Sequence, residues 1–548
     1  MVKRKKVIPA KARHPTEGNE NNKKIIIVNS GYSEGGASRT RSTLRGYSYN
    51  PLKSSTKADV DVNLVTLRNR SADLVCNSPL GSSAINTSRS NVIGAGLKVS
   101  PKVDYRLLGL TAEEAKEWQR QAFREFNLWA NSTACDLYRK NNFFDMQDIA
   151  YMSYLVDGDG WAAIKYRRPV PDNPYCLRVQ LFEASRVCNP NSSGSYGSPS
   201  YYDVEMTNNK NGNRIINGIE IDSDGAVVAY WIANRVPFDL TNPSAVLKWQ
   251  RVEAFGKLSG RPNILQISHE ERPEQYRGVP ILAPVIEVLK QVSRYTNAEL
   301  TAAIIKSFYT LFFTTNNNID DMNDVLSSTY GQAEAVTPED LAHVEVGPGT
   351  LNLLPPGVDV KSMDASRTMS TFEPFTNMMI SQIGAAIGTP AEVLLSRFQS
   401  SYSAARGALL QAASNFKTRR TWFARDFCQP VYEAWLAEAV AIGRISAPGY
   451  GSDPIITKAW SNADWFGPVM GMLDPVKEVT GAALRVKYGF STGERESAEL
   501  TGTDYDSNID QIAIEQQTWR AKGLEPPKAD NTGGNGGDND GKILAGEE

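Results

Sequence analysis

Residues 281–310, ILAPVIEVLKQVSRYTNAELTAAIIKSFYT, constrain the fold of this chain more than any other segment. Val285, Leu289, Val292 and Tyr295 recur at three- and four-residue spacing, which lays an apolar stripe along one face of a helix. The one proline, Pro284, falls in the first turn, where its missing N–H has no helical partner anyway. At about 1.5 Å per residue the run predicts a single helix of about 45 Å. A second such run, 402–442, spaces Leu409, Phe416 and Phe423 seven apart, and Pro430 predicts a kink in it. Between the two, residues 364–388 read as helix, which Gly388 and Pro390 break. Long helices around an excursion, followed by a loop and a further helix, predict an elongated subunit rather than a compact enzyme.

The excursion is itself unusual. TTNNNIDDMNDVLSSTYGQAEAVTPED carries Asp320, Asp321, Asp324, Glu334, Glu339 and Asp340 and no Lys or Arg, so it predicts a polar element that leaves the main body and steers basic partners. VEVGPGTLNLLPPGVDVK then reads as short strands and turns. Upstream, residues 55–93 and 111–157 predict helix. Trp118, Ala122, Phe126 and Trp129 form a stripe, and Thr111 with Glu114 supplies a capping box. From 158 to 280 the runs WAAIKY, LRVQLF, GIEID, AVVAYWI and ILQIS, separated by Gly, Asn, Asp and Pro, predict a β-rich subdomain. The fold class is α+β. Residues 1–24 hold eight Lys or Arg against Glu17 and Glu20 and predict a flexible basic arm; the Gly-, Asn- and Asp-rich C-terminus predicts a flexible tail.

Composition removes whole classes of function. With 41% hydrophobic and 22% charged residues, the 548-residue chain is an ordinary globular one, not collagen-like, wholly disordered or membrane-spanning. Lys plus Arg is 59 against 61 for Asp plus Glu, which excludes a globally basic DNA coat. The five cysteines include no C-x-x-C pair, arguing against a disulfide framework and a zinc ribbon. VIGAG, 92–96, has only the first two glycines of a dinucleotide fingerprint and predicts a turn. VDGDGW, with Asp157 and Asp159, lacks the further ligands of a calcium loop and also predicts a tight turn. His14, His269 and His343 have no metal-ligand spacing, and no phosphate-binding loop is present. The expectation is a non-enzyme with no cofactor and no metal.

NVIGAGLKVSPKV, LVDGDGWAAIKY, VEVGPGTLNLLPPGVDVK leading into FEPFTNMMISQIGAAIGTPAEVLL, SSYSAARGALL, and WFGPVMGMLDPVKEVTGAALRVKYGFSTGERESAELTGTDYD follow one another in this chain. In that order and spacing, over about residues 50–523, the sequence resembles the lambda-type portal proteins of tailed bacteriophages. The resemblance implies a virion component, assembled in the host cytoplasm. It implies a twelve-subunit ring at one capsid vertex, through which double-stranded DNA is packaged and ejected. The partners it implies are the terminase large subunit, a head–tail connector or adaptor, and the major capsid and scaffolding proteins, with no membrane. It divides the chain into a basic arm (1–50), β-rich wing (51–280), stem helices (281–310 and 364–388), a small α/β clip (311–363), tunnel loop (389–402), a long kinked helix with a return to the wing (403–463), a helical crown (464–523) and a tail (524–548).

On that division Asp320, Asp321, Asp324, Glu334 and Glu339 are the partner-docking clip residues. Arg397, Phe398, Gln399 and Ser400 are the DNA-facing ones. SRFQSS departs from the acidic stretch expected in the family at this point, because it carries Arg397 and no carboxylate. In a ring, one Arg per subunit becomes a circle of charges that touches phosphates without reading bases. The alternative is that Phe398 packs into a neighbouring subunit and Arg397 pairs with a carboxylate. Near-neutral composition fits a conduit, since a channel gripping many phosphates would hold DNA rather than let it slide. Two other readings are a virion-associated hydrolase or nuclease, which needs an acid pair or metal site the sequence does not display, and a capsid or neck protein that never touches DNA.

Overall fold

The computed structural model describes residues 55–190, 204–237, 247–307, 311–313, 351–353, 372–398, 401–469 and 475–524. The arm, the tail and the acidic residues Asp320, Asp321, Asp324, Glu334 and Glu339 lie outside them, as do Gln399 and Ser400.

The helical reading of 55–93 resolves into α1 (Leu64–Asn77) and α2 (Pro79–Val92), split where Ser78 caps the second helix and Pro79 opens it. The connection over VIGAG is the expected turn, leading from α2 into β1 (Lys98–Pro101). The predicted helix 111–157 is two helices, α3 (Ala112–Ala130) and α4 (Phe143–Asp157). Side-chain oxygens break it: the Asp136 carboxylate accepts from the backbone N–H groups of Tyr138, Lys140 and Asn141, and Asn142 caps α4. The capping box at Thr111 and Glu114 is present, and Trp118, Ala122, Phe126 and Trp129 are all buried.

Among the described residues the β-rich part holds two antiparallel sheets. One has strand order β3 (Leu177–Phe182), β2 (Asp159–Tyr166), β9 (Ile264–Ser268). The other is a meander of β4 (Glu205–Thr207), β5 (Arg214–Ile216), β6 (Ile219–Ile221), β7 (Val227–Ala233) and β8 (Trp249–Glu253). Alternation is too short to read in β4 and β5, three residues each.

The VDGDGW turn is tighter than its sequence states. Gly158 ends α4 at φ 86°, and a Cβ on Gly278 would sit 1.9 Å from the Gly158 carbonyl oxygen, so only two glycines let these backbones meet. The approach places fully buried Asp159 between Arg68 of α1 (2.6 Å) and Arg277 (2.7 Å). Trp161 Nε1 donates to the same carboxylate at 3.0 Å.

The predicted 281–310 helix begins with a 3₁₀ turn, Ala283–Val285, around Pro284, and continues as α5 (Ile286–Ser307). Its 22 residues span about 33 Å. Val285, Leu289 and Val292 are buried as the stripe predicted. Beyond it β10 (Leu311–Phe313) and β11 (Leu351–Leu353) pair in parallel. Then come α6 (Phe372–Ile387), the short α7 (Ala391–Leu395), α8 (Tyr402–Phe423) and α9 (Gln429–Ala441).

The interruption expected at Pro430 is a π-turn, Ala424–Cys428, lying just before it. Proline removes the N–H that Asp426 would accept from and crowds that carbonyl, and a widened turn accommodates both. Of the 402–442 stripe, Phe416 and Phe423 are buried and Leu409 half-buried.

After α10 (Pro454–Ser461), β12 (Ala463–Phe466) pairs antiparallel with β1, Lys98 opposite Phe466. The last described elements are α11 (Pro475–Lys487), α12 (Gly493–Leu500) and α13 (Tyr505–Ala521). β12 belongs with the main core: Phe126 packs against Phe143, Tyr432, Trp435 and Trp465 at ring-centroid distances of 5.8, 5.4, 5.1 and 6.2 Å. All five cysteines are free thiols.

Candidate functional site

The segment between α6 and α8 carries Arg397 and Phe398. It starts from a rigid base, because Ile380, Ile383 and Ile387 bury one face of α6. Tyr295 of α5 stacks on Phe372 (5.4 Å, 28°) and meets Phe375 edge-on, locking the two helices side by side.

Gly388 terminates α6 at φ 71°. Two side chains of α8 hold that end: Asn415 Nδ2 donates to the Gly388 carbonyl at 2.9 Å, and Arg419 Nη2 donates to the Ile387 carbonyl at 2.6 Å. A side chain at 388 would press within 3.1 Å of Asn415 Nδ2, so the same glycine serves turn and clamp.

The stretch expected to be open loop contains a helix. Pro390 precedes α7, whose Leu394 is buried and whose Leu394 carbonyl accepts from Ser83 Oγ of α2 at 2.6 Å. Five residues of helix form here because Pro390 presets its entry and Leu394 can reach the core. Ser396, left-handed at φ 51°, then turns the chain outward.

Arg397 is half-exposed, its Nη1 3.1 Å from Glu373 Oε1 of α6, which is the carboxylate pairing the sequence left open as the alternative. Phe398 is 54% exposed in the subunit. Both groups of the ion pair are more than half exposed, so it is worth under about 1 kcal/mol and screens with salt. The described part of the segment thus presents one exposed aromatic ring beside one paired guanidinium.

The arginines that sequence reading passed over lie in α8. Arg420 donates to the carbonyls of Val92 (3.0 Å), Asn91 (2.8 Å) and Pro468 (2.5 Å), pinning the end of α2 to the stretch after β12. Burial pulls its pKa down. An Arg-Arg pair inside an otherwise amphipathic helix was the available signal. His269, which lacks metal-ligand spacing in the sequence, stacks flat on Trp422 with centroids 3.6 Å apart. Among the described residues no cluster of three or more His, Cys, Asp or Glu could hold a metal, and no helix is long and apolar enough to cross a membrane.

The chain is 25% identical over 512 residues to "Portal protein B" of Escherichia phage lambda, covering 90% of this chain and 91% of that protein. It is 26% identical over 515 residues to the "Portal protein" of Escherichia phage N15, with the same coverage. It is 24% identical over 475 residues to the "Probable portal protein" of Halomonas phage phiHAP-1, covering 84% and 82%. A solved chain from the neck of a native gene transfer agent particle overlaps 79% of this chain at 13% identity and a TM-score of 0.38, too loose to bear on assembly. The model of the lambda family of phage portal proteins matches residues 43–420, from ahead of α1 through the segment carrying Arg397 and most of α8, and this chain belongs to that family.

Proposed function

We propose that this portal subunit closes with further copies of itself into a twelve-membered ring at one capsid vertex, and that double-stranded DNA passes through the ring during packaging and ejection. The family match over residues 43–420 carries the reading. On it, α5 and α6 form the stem, residues 311–363 the clip, residues 389–402 the tunnel loop and residues 464–523 the crown. Asp320, Asp321, Asp324, Glu334 and Glu339 dock basic surfaces of the terminase large subunit and of the head–tail connector. Arg397, Phe398, Gln399 and Ser400 face DNA. The role is structural: the ring guides DNA, and the packaging motor supplies the work.

The clamped base and the loosely paired Arg397 support the DNA-facing assignment. A loop that must let DNA slide needs a fixed root and a weak, sequence-blind contact. The test joins two measurements. Mass photometry of the purified chain should give a closed species near twelve times 60.3 kDa. The double variant Arg397→Ala, Gln399→Ala should keep that species and lower DNA retention in a salt-dependent way. Monomers and open chains alone would remove the ring. Full packaging and retention by the variant, with rings intact, would move the DNA contact to the stem helices.

A further inference from the structure

The last described helix, α13, is attached in an unusual way. It has 17 residues and none is buried; every residue from Ile509 to Leu524 is exposed, including Ile509, Ile512, Ile514 and Trp519. An isolated helix of this length is marginal in water, so something outside its own hydrogen bonds must hold it. Among the described residues, apolar burial does not.

Two ion pairs reach it from α3. Lys116 Nζ lies 3.0 Å from Asp506 Oδ1, and Arg120 Nη2 lies 2.5 Å from Asp510 Oδ2. Each partner is spaced i, i+4 on its own helix, so two adjacent turns of α3 meet two adjacent turns of α13 in register. All four side chains are about half exposed, which leaves both pairs open to counterions. The remaining ties named by the structure sit at the entry to the helix. Asp504 caps it and accepts from Ser100 Oγ at 3.2 Å, and the Tyr505 ring lies over Gly493. Gly502, at φ 66°, stands just before them.

We propose that α13 is an ionic latch: Lys116 and Arg120 hold it against α3 at low ionic strength, and it swings out about Thr501–Asp504 and frays as ionic strength rises. The core below does not take part, because α3 is anchored by buried Trp118, Ala122, Phe126 and Trp129. Release changes the outer surface of the C-terminal helices without unfolding the subunit. The inference goes beyond the channel reading and does not depend on it.

Hydrogen–deuterium exchange on the full chain tests it. Between about 0.1 M and about 1 M sodium chloride the Debye length contracts from about 10 Å to about 3 Å. Amides of 505–521 should then exchange about tenfold faster while those of 112–130 stay unchanged. Lys116→Glu with Arg120→Glu should give the fast rate already at the lower salt, and adding Asp506→Lys with Asp510→Lys should restore protection. A change of less than about twofold in 505–521, both with salt in the unmodified chain and with Asp506→Asn plus Asp510→Asn, would overturn the latch. The asparagine variant leaves α3 untouched, so it decides the case even if charge reversal on α3 disturbs folding. Loss of protection over 112–130 together with 505–521 in the unmodified chain would overturn it too, as general destabilisation.

Discussion

Asp159 and Arg277 meet inside the protein as a buried, two-contact ion pair, Nε to Oδ2 at 2.7 Å and Nη2 to Oδ1 at 3.2 Å. Arg277 also donates to the carbonyls of Ala184, Val187 and Asn217 and lies over the Trp161 ring, while Arg68 of α1 takes the carboxylate from the other side. One carboxylate therefore joins α1, the start of β2 and the chain that leads into α5. Burial works to raise its pKa, and the charges of Arg277 and Arg68 outweigh that and hold it below the usual aspartate value.

Removing this carboxylate leaves two buried guanidinium groups uncompensated. Asp159→Ala should cost about 3–5 kcal/mol, read as a lower denaturation midpoint in urea. The folded-state pKa is depressed, so the contribution is complete above the unfolded value near 3.9 and fades as pH falls through the lower folded one. An Asp159→Ala chain as stable as the parent at pH 7 would remove the hub.

Asp157, two residues earlier, behaves in the opposite sense. Burial pushes its carboxyl up to about 6, with Arg68 opposing and Asp159 adding to the rise. A raised folded pKa means stability is fullest below the unfolded value near 3.9 and is lost as pH rises through about 6. Asp157→Asn should therefore stabilise the chain at pH 7 by about 1–2 kcal/mol and flatten the stability profile between pH 4 and 6. Equal melting temperatures of parent and variant across that range would contradict it.

Glu220 anchors the five-stranded sheet. Its fully buried carboxylate accepts from Arg251 (2.8 and 3.0 Å), Trp231 (2.9 Å), Asn211 (2.7 Å), Asn213 (3.0 Å) and Asn208 (3.2 Å). Burial works to raise its pKa; Arg251, Asn211, Trp231 and Asn213 bring it down to about 2. The sheet should lose stability as pH falls from about 4.3 towards 2, and Glu220→Gln should weaken that slope while lowering stability at pH 7. Thermal unfolding at several pH values reads both.

Phe126 has no exposed surface and touches rings from α4, α9 and β12. Phe126→Ala should cost about 3–5 kcal/mol and Phe126→Leu less, because Leu refills most of the cavity. The near-ultraviolet dichroism of the cluster, followed through urea unfolding, checks the order.

Glu373→Gln addresses the segment that carries Arg397. The exposed pair contributes under about 1 kcal/mol, so stability should hardly move. With its carboxylate partner neutralised, Arg397 should bind duplex DNA more tightly at low salt, by anisotropy, with the gain disappearing at high salt. Unchanged affinity at low salt would speak against a DNA-facing Arg397.

What could be read in the sequence was whatever depends on neighbours a few residues apart. The Thr111 and Glu114 capping box, the α3 stripe and the buried face through Val285, Leu289 and Val292 are local periodicities, and they appear as read. The order of the motifs carried the family, because a backbone that must present turns and helices in sequence constrains spacing even where identity is low. The split of 111–157 at Asp136 was within reach, since Ser132, Asp136, Asn141 and Asn142 are the residues that compete with helix for backbone hydrogen bonds.

Tertiary structure alone decided the rest. Asp159 in VDGDGW does not announce two arginines 91 and 118 residues away, nor does Trp465 announce Phe126. Pro390 and Gly388 predicted a break, but only the reach of Leu394 into the core made five of those residues helical. Arg397 could equally have been free or paired on its sequence, and the position of α6 beside it brought Glu373 within 3.1 Å. The physical reason is common to all of these. Helix and turn preferences act over one or two turns of chain, whereas burial of a charge or a ring is settled by which distant surfaces the fold brings together.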